Sequence, residues 1–318
     1  MGEKSRDFLR RKAIERILSA IYGDMRFMDG NGLQAAAFRD LAGNARLLQM
    51  LSAAYRHSGR DFDPASVVDD PDDLAYYRHR AAGLLSRKGW QDRNLGIKLI
   101  GLTKYREKIP TLLTMLSDRT PVSKIKKLFG GDFEQVGFIR RNIVQALQVM
   151  DHFDPDVEKH LLAALEDPYF EVRVQACRSA AHFGPFLVGK NGWINGIARR
   201  LEDNCFEVVI EAARALGEIG TDRKVAEVLF SMNESHYWQV RNAALCALKR
   251  MFERGVVEAS EELLSKTSCF ILTSTDFKPH FEIKETYAAV RKCAEENNSR
   301  RHLPGPAALS DHVSRKIQ

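Results

Sequence analysis

The sequence lacks any apolar run near the ~18 residues that a membrane-spanning helix needs, so none is expected in its 318 residues. Its first residues carry too much charge for a secretory signal. It also lacks the serine elbow, phosphate-binding loop and HExxH pattern that mark common catalytic sites. The histidines are scattered, without a neighbouring group of carboxylates. We therefore expect no catalytic residues and a protein that is not an enzyme.

Cysteine is also scarce: the chain has five, an odd number, and no C-x-x-C pair. Zinc sites and disulfide frameworks need cysteines at regular spacings. The pattern instead predicts small buried apolar residues in a reducing compartment, which favours a cytoplasmic protein without metal or cofactor. The five residues are Cys177, Cys205, Cys246, Cys269 and Cys293.

The sequence does contain one unit that is repeated several times. Four segments align without gaps, and each opens with Phe or Trp: residues 138–144, 170–176, 206–212 and 238–244. Their fourth residues follow one another at steps of 32, 36 and 32 residues: Arg141, Arg173, Val209 and Arg241. Such self-similarity is the signature of a stacked solenoid. An earlier copy starts at Trp90, where residues 90–96 resemble residues 238–244.

Each aligned segment opens a first helix, because small and aliphatic residues recur at three- and four-residue steps after it. A break that contains glycine follows, and glycine readily closes a helix end. A second helix then completes the unit. The predicted second helices cover residues 107–117, 157–166, 192–202 and 224–233.

The pattern Leu-x-Asp-x-x-x-x-Val-Arg-x-x-Ala, at Leu165 to Ala176, resembles the HEAT-repeat family, and Val240, Arg241 and Ala244 fit it too. The resemblance covers residues 91–266. It implies an all-α fold, a right-handed α-solenoid of helical pairs, and a scaffold for other proteins. A globular bundle of ordinary helical hairpins is the alternative that the pattern disfavours.

Acidic residues end the second helices and arginines open the first helices, which predicts a ladder between repeats. Its members are Asp167, Arg173, Asp203 and Arg241. We expect Asp167 to meet Arg173 across the turn between them. Val209 stands at the arginine position of the third repeat, so the ladder lacks an arginine at that junction.

Three regions are predicted along the chain. Residues 1–73 form a divergent helical section, with a solvated acidic loop before residue 74, where Asp72 or Asp73 could cap the next helix. Residues 74–296 form the solenoid, with an insertion near residues 120–137. Residues 297–318 form a flexible tail. Residues 8–22 read as an amphipathic basic helix, which caps the solenoid or, less favoured, lies on a membrane surface or a partner.

Positive charge is concentrated in residues 74–128, which hold thirteen basic and three acidic residues. The net charge of this segment is +10, against +6 for the whole chain. Such a segment attracts acidic partners.

Function is predicted on the concave surface, which we expect the second helices to line. Candidate partner-binding residues there and in the insertion are Lys108, Lys124, Lys126, Lys127, Lys159, His160, Trp193, Arg199, Arg200 and Lys224. Trp193 either packs under the turn at residues 184–190, which we favour, or is an exposed anchor.

The leading hypothesis is a non-enzymatic scaffold that binds a protein partner, of acidic character if the basic residues contribute. The alternative is a solenoid that binds nucleic acid in a basic groove. DNA alkylation-repair glycosylases have HEAT-like repeats with tryptophans and an aspartate in such a groove, but this likeness is one of fold and matches no active-site residue here.

Overall fold

A computed structural model describes residues 35–68, 70–87, 89–118, 132–257, 261–272 and 277–301. These residues are almost entirely helical, and no β-strand occurs among them. The chain falls into two compact units, unit 1 ending at His152 and unit 2 beginning at Phe153. The predicted all-α repeat fold is confirmed.

Unit 1 is built around α3, which packs between α2 and α5. Its helices are α1 (Ala35–Ser58), α2 (Pro71–Leu85), α3 (Trp90–Leu102), α4 (Ile109–Ser117) and α5 (Asp132–Met150). In addition, α1 contacts α3, and α4 contacts α5.

Unit 2 holds the best-aligned repeats. Its helices are α6 (Pro155–Ala164), α7 (Phe170–His182), α8 (Gly184–Leu187), α9 (Asn191–Ala198), α10 (Phe206–Ile219), α11 (Arg223–Ser231), α12 (Trp238–Glu253), α13 (Glu261–Thr267), α14 (Cys269–Leu272) and α15 (Phe277–Arg301). The first helices are α3, α5, α7, α10 and α12, and the second helices are α4, α6, α9 and α11.

Most helices begin where the sequence predicts them. Four first helices start at their aromatic residue: α3, α7, α10 and α12 at Trp90, Phe170, Phe206 and Trp238. Two second helices have an aspartate cap, because Asp154 accepts from the N–H of Val157 (2.8 Å) and Asp222 from that of Val225 (3.0 Å). Such caps satisfy backbone N–H groups that the first turn of a helix leaves unpaired.

Each second helix packs mainly on the first helix that follows it. The contacts join α4 with α5, α6 with α7, α9 with α10, and α11 with α12. Among the described residues, no second helix makes comparable contacts with the first helix before it. The packing unit is therefore a second helix with its following first helix, the reverse of the order in which the sequence suggests the pairs.

The first helices of unit 2 form a continuous layer. The helix α7 packs along α10, α10 along α12, and α12 along the terminal helix α15. Within the described part of unit 2, α6, α9 and α11 make no comparable contacts with one another. Closer spacing in one layer makes that layer the inner side of a curve. The packing thus favours the first helices as the inner layer of unit 2 and argues against the expectation that second helices line the concave side.

Gly217 permits the close approach of α10 and α12. A Cβ atom added at Gly217 would lie 2.8 Å from the Cα of Ala247 and 3.1 Å from its carbonyl oxygen. Backbone atoms cannot move aside as a flexible side chain can, so only a glycine fits at this spacing.

We expect Gly217→Ala to destabilise the chain by about 1–3 kcal/mol, because overpacking at the Ala247 backbone outweighs the helix propensity gained. Gly192→Ala is the matched control, since a Cβ there meets no atom within 4 Å. The control should keep or slightly raise stability. Chemical denaturation of the three proteins measures the difference, and equal stability of both variants would contradict the packing argument.

The predicted N-terminal section differs in two respects from the structure. One helix, α1, runs through Gly43, where a division had been expected. The cap of α2 is Asp70 rather than Asp72 or Asp73: its carboxylate accepts from the N–H of Asp72 (2.8 Å), because Pro71 occupies the first helical position.

The C-terminal predictions are partly met. Residues 270–275 had been expected to be irregular, but α14 includes Phe270, whose ring is fully buried, and burial of a ring overrides weak helix propensity. The helix α15 extends to Arg301 with Val290 buried, so the predicted tail begins inside it. Residues 8–22, most of the predicted insertion and residues 302–318 lie outside the described residues.

Candidate functional site

Arg173 links two successive turns of unit 2. Its Nη1 donates to the carbonyl oxygen of Asp167 (2.8 Å), six residues earlier. Its Nε and Nη2 donate to the two carboxylate oxygens of Asp203 (2.7 and 2.8 Å) in the next repeat. The contact predicted between Asp167 and Arg173 thus includes the backbone carbonyl, while the bidentate carboxylate partner is Asp203, 30 residues away.

The two aspartates also order the starts of first helices. The carboxylate of Asp167 accepts from the N–H of Tyr169 (2.9 Å), and that of Asp203 from the N–H of Cys205 (3.1 Å). Burial alone would raise the pKa of the Asp203 carboxyl, but its hydrogen bonds with Arg173 and the Cys205 N–H hold that pKa below its usual value.

The third repeat lacks this link, as its sequence indicates. Val209 stands where Arg173 stands in the second repeat, and it cannot donate to a neighbouring turn. Arg241 keeps the bond within its own turn, since its Nη1 donates to the carbonyl of Ser235 (2.6 Å). Ser235 replaces the aspartate there, and its Oγ accepts from the N–H of Tyr237 (3.3 Å).

The candidate binding residues on second helices do not form one uncompensated basic surface. Lys159 and Lys224 are exposed, and His160 is half-buried. Arg199 and Arg200 both contact the carboxylate of Glu166, at 3.7 and 3.0 Å.

Trp193 does not belong to the binding surface. Its side chain is 1% exposed, and its Nε1 donates to Glu158 Oε1 (3.1 Å). A large ring at the start of α9 removes more apolar area from water by packing inward than it could offer to a partner. Its assignment as a partner-binding residue is therefore wrong, and the core-packing alternative is correct.

Most basic residues of the segment 74–118 have structural contacts. Arg78 donates twice to the carbonyl of Thr103 at the end of α3 (3.1 and 2.8 Å), and Arg106 donates to the carbonyl of Met150 at the end of α5 (3.2 Å). Lys104 lies over the ring of Phe62, and the candidate Lys108 over that of Tyr105. Lys124, Lys126 and Lys127 lie outside the described residues. Much of the positive charge in this segment thus contacts carbonyl oxygens at helix ends or the faces of aromatic rings.

The solvent-exposed face of the first helices carries a charged row that sequence reasoning missed. The row consists of Arg178 on α7, Glu211, Arg214 and Glu218 on α10, and Arg250 on α12. Arg178 and Arg214 both donate to Glu211 Oε1 (3.0 and 2.9 Å), and Arg250 donates to Glu218 (2.9 Å). The three arginine side chains remain 53, 56 and 48% exposed. The row therefore crosses three successive repeats.

A cavity of about 340 Å³ lies within unit 1, between α1, α3 and α5. Two cationic side chains line it, together with three amides and two hydroxyls: Lys98, Arg56, Gln49, Asn142, Gln145, Ser52 and Tyr55. Its apolar lining comes from Leu48, Leu102, Ala146 and Val149. None of the described residues that line it is acidic. Asn142 is fixed there, since its Nδ2 donates to Asn94 Oδ1 (3.1 Å) and Arg141 donates to its Oδ1 (3.2 and 3.0 Å).

Lys98 has an unusual environment for a lysine. Burial, and then the nearby charge of Arg141, lowers the pKa of its ammonium group from 10.5 to about 8. Perturbed pKa values in cavities are typical of functional sites.

Lys98 shares a repeat position with two arginines of unit 2. It lies five residues after Arg93, as Arg178 lies five after Arg173 and Arg214 five after Val209. The same position holds Ala146 and Cys246 in the other repeats, so neither the register nor a motif search singles out Lys98.

The cysteines divide by environment. Cys177 is buried, and burial raises the pKa of its thiol to about 12, whereas Cys246 is exposed on α12. The predicted burial is therefore wrong for Cys246.

In the described part of the chain, no group of three His, Cys, Asp or Glu side chains could hold a metal ion. No helix there has both the length and the apolarity needed to cross a membrane.

The comparison with protein families agrees with the repeat pattern. Residues 157–249 match the family model of HEAT repeats, and no curated protein sequence matches the chain. Among solved structures, an engineered protein is 17% identical over 70% of this chain and 97% of its own (TM-score 0.47). YibA of Escherichia coli is 15% identical over 82% and 99% of the two chains (TM-score 0.38). The complex of CpcE and CpcF of phycocyanin lyase from Nostoc sp. PCC7120 is 15% identical over 67% and 94% (TM-score 0.34).

Proposed function

We propose that this chain, whose residues 157–249 match the HEAT-repeat family, is a non-enzymatic scaffold that binds a protein partner on the first helices of unit 2. The observation that carries the proposal is the charged row from Arg178 to Arg250. Half-exposed arginines held by carboxylates are pre-oriented, so a partner that engages them loses little additional side-chain freedom on binding.

The composition of the row favours a protein over a nucleic acid. Three arginines alternate with two glutamates, so the row carries a net charge of only +1. Binding to a phosphate backbone depends on many uncompensated cations, whereas protein interfaces are enriched in arginine and match charges of both signs. A protein segment in which acidic residues alternate with fewer basic residues would match the charges of this surface.

Aromatic residues at the starts of the same helices extend the surface. Tyr237 is 55% exposed and stacks on Phe206, with ring centroids 5.1 Å apart. Phe170 is also exposed. Exposed aromatic rings and arginines are both enriched at interface hot spots.

The test is affinity capture from a nuclease-treated extract of the source cells, followed by binding of the purified captured protein. We expect Arg214→Ala/Arg250→Ala to weaken that binding by about tenfold or more, since two hot-spot side chains each contribute on the order of 1 kcal/mol. Arg178 is retained in this variant so that the buried Glu211 keeps a cationic partner.

The matched control is Lys159→Ala/Lys224→Ala, which removes two exposed cations from second helices. It should bind as the unsubstituted chain does. Equal binding by the Arg214/Arg250 variant, or loss of all captured material after nuclease treatment, would contradict the proposal, and the latter result would favour the nucleic-acid alternative.

A further inference from the structure

We propose that the cavity of unit 1 between α1, α3 and α5 binds a small organic anion, with the Lys98 ammonium group as its main charge contact. The proposal goes beyond the scaffold function. It concerns a different unit, so it can fail or succeed independently of the charged row.

The side chains that face the cavity have the chemistry of an anion site. Lys98 approaches from α3 and Arg56 from α1, while Asn142 and Gln145 on α5 can donate from their amides. Ser52 and Tyr55 on α1 add hydroxyl donors. The described lining residues include no acidic side chain.

The shape of the cavity limits the size and polarity of the ligand. Its volume of about 340 Å³ lies at the lower end of the range for small-molecule sites. Leu48, Leu102 and Val149 offer apolar contact beside the polar groups. At Gly101 a Cβ would lie 2.9 Å from the Cα of Ala146, so α3 and α5 approach closely at this wall of the cavity. A carboxylate or phosphate ester with a compact apolar body fits these features.

The amide of Asn142 is pre-oriented for this task. Because its Oδ1 accepts from Arg141 and its Nδ2 donates to Asn94, the side chain is held in one rotamer. Pre-oriented polar groups bind a ligand with less loss of conformational entropy.

The test uses the full-length chain with four probes: benzoate, phenyl phosphate, inorganic phosphate and benzamide, a neutral isostere of benzoate. We expect one organic anion to bind with a Kd below about 1 mM and about tenfold tighter than benzamide. Preference for benzoate or for phenyl phosphate then assigns the carboxylate or the phosphate-ester class.

Variants test whether Lys98 is the contact. Lys98→Met should weaken binding of the organic anion by about tenfold or more, while Lys98→Arg and the remote control Lys159→Met should retain it. Lys98→Met removes a buried charge, so the loss of binding can be separated from unfolding by a melting curve. Binding that is equal in Lys98→Met, or equal for benzamide, would overturn the proposal.

Two further outcomes also overturn it. Binding of inorganic phosphate without either organic anion would indicate an adventitious ion only. No binding of any probe would show that the cavity does not select anions.

The pH dependence gives a second readout, measured with benzoate because carboxylates are ionised above about pH 6. Affinity should be constant up to pH about 8 and fall above it, as Lys98 loses its proton. Other titratable groups near Lys98 include Tyr55 and Arg56 of α1, which line the same cavity, and Arg141 of α5, whose charge acts on Lys98, and no side chain of α2 lines the cavity. Burial, and then the charge of Asp151, raises the pKa of Tyr55, so it stays neutral in this range. An affinity that does not change between pH 7 and 10 would contradict the role of Lys98.

Discussion

Arg173→Met is expected to lower the free energy of unfolding by about 3 kcal/mol, because removing one member of a buried ion pair leaves the other charge uncompensated. The Arg173 and Asp203 side chains are 15 and 4% exposed, so solvent screens the pair little. The substitution also removes the bond to the Asp167 carbonyl. Urea denaturation at neutral pH measures the change.

The acid side of the stability curve provides a check. The folded-state pKa of Asp203 is lowered, so its contribution is present above the unfolded value and is lost as pH falls through the folded value. Arg173→Met should therefore lose less stability than the unsubstituted chain between about pH 4 and the onset of acid unfolding. The control Arg223→Met breaks an exposed pair with Glu227 and Glu262 and should leave stability nearly unchanged. A similar loss in both variants would contradict a special role for the link between repeats.

Lys98→Met is expected to stabilise unit 1 by about 1–3 kcal/mol near neutral pH. The pKa of Lys98 is 10.5 in the unfolded reference and about 8 in the folded chain. A shift of this size corresponds to roughly 3 kcal/mol at 1.36 kcal/mol per unit. Methionine keeps much of the side-chain volume and carries no charge, so it avoids that cost.

The sign of the pH effect follows from proton binding. Between about pH 8 and 10.5 the unfolded lysine holds a proton that the folded one has released, so the stability of the unsubstituted chain rises with pH. Below pH about 8 the full cost of the buried ammonium is present. The slope between these values should be smaller in Lys98→Met than in the unsubstituted chain, and equal slopes would show that Lys98 is not the cause.

The repeat helices could be predicted because each is encoded locally. An aromatic residue opens most first helices, and aspartate caps two second helices, so their bounds follow from neighbouring residues. Pairing between helices is not local. The sequence places Asp167 six residues before Arg173, yet the bidentate partner is Asp203, because stacking of repeats brings equivalent turns together.

Charge was harder to interpret than helix position. The excess of bases in residues 74–128 pointed to a binding surface, but Arg78 and Arg106 donate to carbonyls at helix ends. A count of charged residues cannot show that an arginine side chain already donates to a backbone carbonyl. For the same reason Lys98 was not predicted as a site residue, because its sequence neighbours do not reveal that α1 packs near it.

A single extra helix can change what a repeating position does. At the fifth residue after the reference position, unit 2 presents Arg178 and Arg214 to solvent, while the corresponding Lys98 in unit 1 lines a cavity beside α1. A modular array can thus acquire a cavity where a further helix packs beside a repeat, and that cavity takes part of its chemistry from a side chain of the repeat. For protein engineering, the side chains to vary are therefore those of the added helix α1 rather than those of the repeats.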